Sequence, residues 1–302
     1  SLEGGVNQTY VRTQWRVLSP QALPMLGSVV IPWNPANQTV SIHGLRIFRG
    51  DRVIDALEDR EFTILRREQN LEAAMLNGVL TATLQLDDLR VGDVLELEAT
   101  TRSENAVLGR HAEILATANL PAPISHYHLR ASWPRGEHFR IRATDGWDTP
   151  AVRRSGGDDG IEIVLKDLEP LLVPDDAPTR FHHVRQLEVT DYGAWSDVAD
   201  VFLPLYARAS ELEAGSPIYA RAAEIREATD DPRARAEAAL RLVQDEVRYL
   251  ALSMGDGGLV PASADETWRR RLGDCKGKTA LLLALLKELQ IPARAVLVAT
   301  RD

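Results

Sequence analysis

The chain has 302 residues, a length that suits about two domains. Apolar residues make up 44% of the sequence and charged residues 26%, which is the composition of an ordinary globular protein. The formal charge of −9 argues against nucleic acid as a partner, because phosphate backbones are bound by clustered Lys and Arg. The single Cys excludes an internal disulfide, and no apolar run reaches the length that spans a bilayer.

Short extended segments separated by turn residues fill the sequence from Tyr10 to about Val189. They carry β-branched or aromatic side chains, and several alternate in the manner of half-buried antiparallel strands. Gly, Pro and Asp mark the turns between them, for example at Gly92-Asp93. The spacing predicts an antiparallel β-sandwich domain over residues 1–192. Strands are predicted at residues 10–18, 39–48, 62–66, 79–86, 94–101, 124–133, 139–143, 161–165 and 184–189.

The spacing of apolar residues becomes helical after Tyr192, and this change predicts a second domain over residues 193–302. Ser196 is the predicted N-cap of the first helix, and Asp231-Pro232 is a typical helix start. Ser263 and Glu266 have the spacing of a capping box. Helices are predicted at residues 197–212, 217–229, from 231 to about 250, and at 263–268. The fold class is therefore α+β with two domains.

The segment around Cys275 carries the strongest local signal. Leu272-Gly273-Asp274-Cys275-Lys276-Gly277-Lys278-Thr279 precedes a leucine-rich run, residues 280–289, whose leucines cover nearly all sides of a helix. Such a helix is buried in a core, and it ends before Pro292 because proline cannot continue a helix. We therefore predict a loop at residues 272–274, a helix that begins within two residues of Cys275, and a sulfur that lines a cleft.

A cysteine at a helix N-terminus is suited to nucleophilic chemistry. The unpaired N–H groups and the helix dipole favour an anion there, the thiolate, and Lys276 and Lys278 add positive charge. A thiolate attacks amide or ester carbonyls, and the same N–H groups can hold the oxyanion that forms. Asp274 fits either an N-cap or a neighbour of the reactive group. The residue pattern alone also leaves open a buried Cys with a structural role.

Residues 247–300 resemble the transglutaminase-like superfamily. The resemblance rests on Val247-Arg248-Tyr249, the glycine-containing loop 255–261, Ala264 to Trp268, Gly273-Asp274-Cys275-Lys276 with its leucine-rich helix, and the run from Ile291 to Val298. It implies the N-terminal portion of a papain-like thiol-enzyme core in which Cys275 is the nucleophile. It also implies that this last segment, residues 291–298, is the first strand of the sheet that supplies the catalytic His. No metal or organic cofactor is expected.

Four residues are candidate neighbours of the Cys275 site: Gly273, Asp274, Lys276 and Trp268. Gly273 permits a tight turn into the helix. Trp268 fits either a wall of the active-site cleft or a residue of the helix packing.

The N-terminal half resembles a bacterial family in which a β-sandwich domain of unknown function precedes such a core. The shared segments are Val91-Gly92-Asp93-Val94-Leu95-Glu96 and residues 192–198, which include Trp195. This resemblance favours the periplasm or cell envelope. The sequence opens at Ser1-Leu2 and stops just after an apolar, strand-like run at residues 295–299. We therefore expect a piece of a longer protein, with any signal or membrane anchor outside it; the oligomeric state is open.

The superfamily mechanism uses a His, usually oriented by an Asp, and both follow the nucleophile in sequence. All seven histidines of this chain precede Cys275, and none of the last 27 residues is His. We therefore expect residues 1–302 to be inactive alone, cut before the catalytic sheet is complete. The expected function of the complete enzyme is peptidase or amidase chemistry on an amide or isopeptide bond of a peptide or protein, rather than cross-linking. The alternative is a non-catalytic envelope protein whose β-sandwich binds a ligand or protein.

Other motifs carry weaker signals. The His126-Tyr127-His128 motif places two His on one strand face, but no further metal ligand is near in sequence, so ordinary surface or core roles are favoured. His182-His183 would point to opposite faces of a strand. Asp158-Asp159 fits a hairpin turn better than a calcium loop. Arg269-Arg270-Arg271 fits either attraction of an acidic substrate or a solvated helix end.

Overall fold

The computed structural model describes residues 1–66, 74–120, 122–144, 147–172, 177 and 184–298. Within these ranges β-strands dominate as far as Thr190, and α-helices dominate from Trp195 onward. The predicted order, a β-rich region followed by a helical region, is confirmed. No helix in the described ranges is both long and apolar enough to cross a membrane.

The β-rich region contains fifteen strands in its described residues and one short α-helix, α1 (Leu23–Leu26). Each of the nine predicted strands overlaps an observed strand. Among those that the prediction missed is β3, which contains Pro32; it is the edge strand of its sheet, where proline is tolerated. The strands are β1 (Leu2–Glu3), β2 (Val6–Arg16), β3 (Ser28–Trp33), β4 (Gln38–Arg49), β5 (Arg52–Asp55), β6 (Thr63–Arg66), β7 (Met75–Leu76), β8 (Leu80–Gln85), β9 (Val94–Glu104), β10 (Glu113–Thr117), β11 (Ile124–Pro134), β12 (Arg140–Ala143), β13 (Arg153–Ser155), β14 (Asp158–Leu168) and β15 (Gln186–Thr190).

These strands form mostly antiparallel sheets, as predicted. The strand orders are β1-β2-β9-β4-β5, β3-β8-β6, β10-β15-β12 and β11-β14-β13. The longest ladder pairs β11 with β14, from Ile124 opposite Leu168 to Pro134 opposite Asp158. The β13–β14 hairpin turns at Gly156-Gly157, and Asp158-Asp159 begins β14, so this motif belongs to a hairpin as the sequence indicated.

Contacts divide the chain into two compact units. Unit one comprises Ser1–Val11, Ala99–Val198 and the residues from Leu297 onward, and unit two comprises Arg12–Glu98 and Ala199–Val296. Unit two is thus discontinuous in sequence, because most of unit one is inserted between its halves. These units are defined by contacts and do not test the boundary between sequence domains at residue 193, which stays a prediction.

Each unit has its own apolar core. In unit one the core contains two tryptophans, Trp133 and Trp147, packed with residues of β14 and β15. The β-strands of unit two enclose a second core that includes Leu45, Leu84 and Leu95. Its helices enclose a third, described below with α6.

The motif from Val91 to Glu96 contains two buried carboxylates that bind arginines of unit two. Asp93 is buried and accepts hydrogen bonds from Arg49 and from the Arg90 backbone N–H, and these bonds hold the pKa of Asp93 below its usual range. Burial raises the pKa of Glu96, but hydrogen bonds from Arg12, Gln14 and Arg46 lower it by more. Buried carboxylates need such partners. The motif therefore has a structural role, since it joins neighbouring strands through charge.

Five helices follow: α2 (Trp195–Ala209), α3 (Pro217–Ala228), α4 (Pro232–Glu246), α5 (Ala264–Arg270) and α6 (Cys275–Glu288). The predicted caps Asp231 and Ser263 are confirmed, since each side chain accepts from the first turn of its helix. The N-cap predicted at Ser196 is wrong, because α2 begins at Trp195. The Asp197 carboxylate instead accepts the N–H groups of Ala194 and Gly193, which lower its pKa. A carboxylate accepts hydrogen bonds more strongly than a serine hydroxyl, which explains why Asp197 and not Ser196 binds these N–H groups.

Two short parallel pairs connect segments of unit two that are distant in sequence. β16 (Arg248–Tyr249) pairs with β18 (Leu272–Gly273), and β17 (Ala251–Leu252) pairs with β7. The loop predicted at residues 272–274 is therefore partly wrong: residues 272–273 are extended because the Leu250 N–H donates to the Gly273 carbonyl at 3.2 Å.

Helix α6 is the central helix of the helical core, as predicted. Leu281, Leu285 and Leu289 are buried against residues of α3, α4 and α5. The helix ends at Glu288, before Pro292. The strand predicted at residues 291–298 is not formed in the structure described: none of these residues lies in a strand, and Val296 and the two residues after it are exposed. A strand needs a hydrogen-bonded neighbour, and the described part of the chain provides none there.

Candidate active site

Cys275 is the first residue of α6, and its side chain is exposed. The prediction that the helix begins within two residues of Cys275 is thus confirmed. N–H groups of the first helical turn have no carbonyl partner within the helix, so the sulfur sits beside donors suited to an anion. The buried leucines of the next turns fix the helix in the core, which fixes the position of the sulfur.

Asp274 caps this helix. Its Oδ1 accepts the Gly277 backbone N–H at 2.9 Å, and its other oxygen pairs with Lys276 Nζ. Only 8% of Asp274 is exposed, so the carboxylate is held in place from both sides. The N-cap interpretation of Asp274 is confirmed, and its place next to Cys275 leaves its role in the chemistry open to experiment.

The two lysines that flank Cys275 are both engaged. Lys276 is paired with Asp274, and Lys278 Nζ donates to the Val247 carbonyl at 2.6 Å, at the end of α4. Lys278 thereby ties α6 to α4. The positive charge predicted beside Cys275 is present, but both lysines bind other groups near the start of α6 and stabilise the helix there.

Gly273 and Gly277 let α5 approach the start of α6. A Cβ on Gly273 would lie 2.8 Å from Thr267 Cγ2, and a Cβ on Gly277 would lie 2.8 Å from Thr267 Oγ1. Gly273 is extended and has no positive φ, so the tight turn predicted from it is wrong. Its lack of a side chain is required by the close contact with Thr267.

Trp268 belongs to the helical core. It is buried with residues of α3, α4 and α6, and the Arg271 guanidinium lies 3.5 Å from the ring centroid. The geometry matches helix packing, the second of the two roles considered for Trp268. Arg271 also pairs with Glu246 at 3.0 Å, and Arg269 and Arg270 both pair with Glu266. This arginine run is therefore a paired helix end.

Two tyrosines near Cys275 were not predicted as site residues. Burial raises the pKa of the Tyr249 phenol; the negative charges of Cys275 and Asp274 and a side-chain hydrogen bond with Cys275 raise it further. Burial, followed by the same two charges, also raises the pKa of Tyr206 on α2. Tyr249 lies in the segment that carries the family resemblance, so a signal for it existed. Tyr206 has no such signal, because its proximity depends on how α2 packs.

Two histidines of unit one, His111 and His128, form pairs with carboxylates. His128 Nε2 lies 2.9 Å from Glu162 Oε1, and the rings of His126 and His128 are 6.4 Å apart. The sequence analysis did not single out His111. Its Nδ1 lies 3.1 Å from the Asp191 carboxylate, and its ring stacks on Tyr192. His182-His183 lies outside the described residues. In the described ranges no group of three or more His, Cys, Asp or Glu is arranged to hold a metal.

Comparison with known protein families decides the family of the chain. The family profile of the domain of unknown function DUF3857, a family with solved structures, matches residues 5–171, more than half of the sequence. The chain belongs to the DUF3857 family. The profile of the transglutaminase-like superfamily matches residues 219–302, which include Cys275 and all of α6. The order is the one predicted: a β-rich DUF3857 region followed by a transglutaminase-like core.

A solved structure has the same architecture as this DUF3857 protein. It is a protein of Parabacteroides distasonis ATCC 8503 described as a "putative protease", and the two superpose with a TM-score of 0.75 at 14% sequence identity. The match covers 96% of this chain and 56% of the other, so the chain spans about half of that protein's length. At this identity the likeness shows a shared fold. No curated protein matches the sequence.

Proposed function

We propose that this protein is a cysteine enzyme that cleaves amide or isopeptide bonds of peptides or proteins through a thioester on Cys275. One observation carries the proposal: the only thiol of the chain is exposed at the N-terminus of helix α6, where the first N–H groups have no carbonyl partner within the helix. The match to the transglutaminase-like superfamily supports it, and so does the fold shared with the structure described as a "putative protease". We also propose a location in the periplasm or cell envelope of a bacterium, which the family resemblance supports.

The proposed reaction has two steps. In the first, Cys275 Sγ attacks the carbonyl carbon, N–H groups of the first turn of α6 hold the oxyanion, and the C–N bond breaks as the amine leaves with a proton. In the second, water attacks the thioester and releases the acid and the free thiol. We propose the Tyr249 phenol as a hydrogen-bond donor to the sulfur, because Tyr249 lies close enough to Cys275 for the charge there to raise its pKa.

Proton transfer needs a general base. In the superfamily mechanism this base is a His that follows the nucleophile, and no His follows Cys275 in the sequence. We therefore propose that residues 1–302 form the thiol site but do not turn over alone. Turnover by these residues that Cys275→Ala abolishes would contradict this part of the proposal.

Alkylation and a reversible aldehyde inhibitor test the thiol site. We expect iodoacetamide to modify native Cys275 faster than N-acetylcysteine at pH 7, and a peptide aldehyde, which adds to a reactive thiol, to slow the modification. Cys275→Ser is the control that removes the signal in mass spectra of the intact protein. A Cys275 that reacts no faster than the free thiol, with no aldehyde protection, would refute a catalytic role.

A second candidate is a non-catalytic envelope protein that binds a ligand or protein through its β-rich region. It is supported by the match of the DUF3857 profile, a domain of unknown function, to residues 5–171, more than half of the chain. The two candidates differ in one variant. Cys275→Ala in the longest natural form of the protein abolishes hydrolysis if the enzyme proposal holds, and changes nothing measurable if the site is only a scaffold.

A further inference from the structure

We infer that a groove leading from Cys275 along α6 binds an extended, acidic segment of the peptide substrate. The inference rests on the proposed function, because it assigns the class of substrate to that site. It is carried by three observations within unit two: an open groove, a ridge of side chains that starts at Cys275, and the charge at the far end of that ridge.

The groove has a volume of about 440 Å³. One wall is α2, through Leu203, Tyr206, Ala207 and Ser210; the other is α6, through Leu283 and Lys287, and residues 290–295 close the end. The volume lies within the range of small-ligand sites, and the lining is mainly apolar. The groove therefore suits apolar side chains of a peptide.

A ridge on α6 connects this groove to the reactive cysteine. Cys275, Thr279, Leu283 and Lys287 follow one another at i, i+4 spacing, which places them along one side of the helix. All four are at least partly exposed. From Cys275 to Lys287 the helix rises about 18 Å. An extended peptide covers that distance with about five or six residues.

Tyr206 joins the two regions. It lines the groove from α2, and it is close enough to Cys275 and Asp274 for their charges to raise its pKa. A chain in the groove therefore passes Tyr206 on its way to the sulfur.

The charged side chains of the groove are both cationic. Lys287 and Arg294 line it, and among the described residues no carboxylate does. The net charge of the whole chain is −9, so the positive charge of the groove is opposite in sign to that of the chain. Lys287 also lies in the last turn of α6, where the helix dipole favours a cation, but this does not account for Arg294, which lies beyond the helix. Charge complementarity favours a carboxylate about five residues from the bond that is cleaved.

Peptide binding to residues 1–302 tests the inference. The probe is a fluorescein-labelled eight-residue peptide with Leu at two positions and Glu at two, compared with a peptide in which Lys replaces Glu. We expect the acidic peptide to bind at least tenfold more tightly by fluorescence anisotropy. The double variant Lys287→Glu, Arg294→Glu should lose at least tenfold in affinity, and the milder Lys287→Gln variant should lose part of it. Lys166→Glu with Arg241→Glu, exposed positions outside the groove, is the matched control and should bind as the unchanged protein does.

Cys275 gives an independent readout. A peptide that lies along the ridge covers the sulfur, so the acidic peptide should slow alkylation of Cys275 in proportion to its occupancy, and the double variant should not be protected. Equal binding of the acidic and basic peptides, or unchanged binding by the double variant, would overturn the inference. A third outcome separates the two proposals. If the acidic peptide binds more tightly and protects Cys275, but Cys275 of the free protein reacts no faster than N-acetylcysteine, the groove inference stands and the catalytic proposal is refuted.

Discussion

Replacing Gly273 or Gly277 with Ala tests whether close contact with Thr267 positions the start of α6. Each new Cβ would lie 2.8 Å from an atom of the Thr267 side chain, well inside ordinary contact distance. Thr267 is fully buried, so it has little room to move away. Overpacking of this kind costs about 1–3 kcal/mol. In α6, replacing Gly by Ala also gains about 1 kcal/mol of helix propensity, so the net loss is about 1–3 kcal/mol for Gly273→Ala and about 0–2 kcal/mol for Gly277→Ala.

The two clashes involve different atoms of Thr267, which allows a sharper test. Thr267→Ser removes Cγ2 alone, whereas Thr267→Ala removes Cγ2 and Oγ1. We expect Thr267→Ser to rescue Gly273→Ala and not Gly277→Ala, and Thr267→Ala to rescue both. The free energy of unfolding is measured in urea for each single and double variant, with Cys275 alkylation as a local readout.

Gly157→Ala is the control for glycine replacement in general. Nothing lies within 4 Å of a Cβ at Gly157, so we expect a change in the free energy of unfolding within about 0.5 kcal/mol. If Gly273→Ala costs the same in all three Thr267 backgrounds, within about 0.5 kcal/mol, the explanation by contact is refuted.

Three further predictions concern single side chains. Asp274→Ala removes the α6 cap and should lower stability by about 1 kcal/mol; because it also removes a negative charge beside the sulfur and frees Lys276, it should speed Cys275 alkylation. Asp231→Ala, which removes the α4 cap, should change stability alone. Asp93→Asn removes the buried carboxylate that pairs with Arg49, leaves Arg49 with the exposed Asp88 alone, and should cost about 2 kcal/mol at pH 7. Because the folded pKa of Asp93 is lowered, this stabilisation is present above the unfolded pKa of about 3.9 and is lost as the pH falls below it, which melting temperatures between pH 3 and 7 will show. Tyr249→Phe removes a donor to the sulfur and should slow alkylation about fivefold, equivalent to about 1 kcal/mol.

Each of these predictions has a control and a result that contradicts it. Asp88 also binds Arg49 but is exposed, so Asp88→Asn should cost much less than Asp93→Asn; equal losses would refute the role given to burial. Tyr219→Phe, an exposed tyrosine on α3, should leave alkylation unchanged. If Cys275 of Tyr249→Phe is alkylated as fast as in the unchanged protein, Tyr249 is not part of the site. If Asp274→Ala and Asp231→Ala have the same effect on the rate of alkylation, Asp274 is not part of the site either.

Local sequence chemistry predicted the helical frame of the site. The caps at Asp231, Ser263 and Asp274 depend on hydrogen bonds within four residues, so the sequence carries the whole signal. The leucines after Cys275 likewise identify a buried helix from their spacing alone. These features determine where Cys275 is placed.

Contacts between distant segments could not be predicted in this way. Gly273 pointed to a turn, and only the packing of α5 shows that Thr267 requires the glycine. Tyr206 lies near Cys275 because of the position of α2, about seventy residues earlier in the chain. The residues from Val296 to Val298 have strand composition, but composition cannot supply a strand to pair with.

The discontinuity of unit two affects how the chain folds during synthesis. Ala251 pairs with Met75 across the whole of the inserted unit, so the two halves of unit two cannot join until the ribosome has made the second. At about 5–20 residues per second, the inserted stretch of 99–198 takes about 5–20 s to make. During that interval the first half of unit two leaves the ribosome with the edge of β7 unpaired, and unit one has time to fold first. A nascent chain stalled near residue 200 is therefore the species with the greatest need of a chaperone.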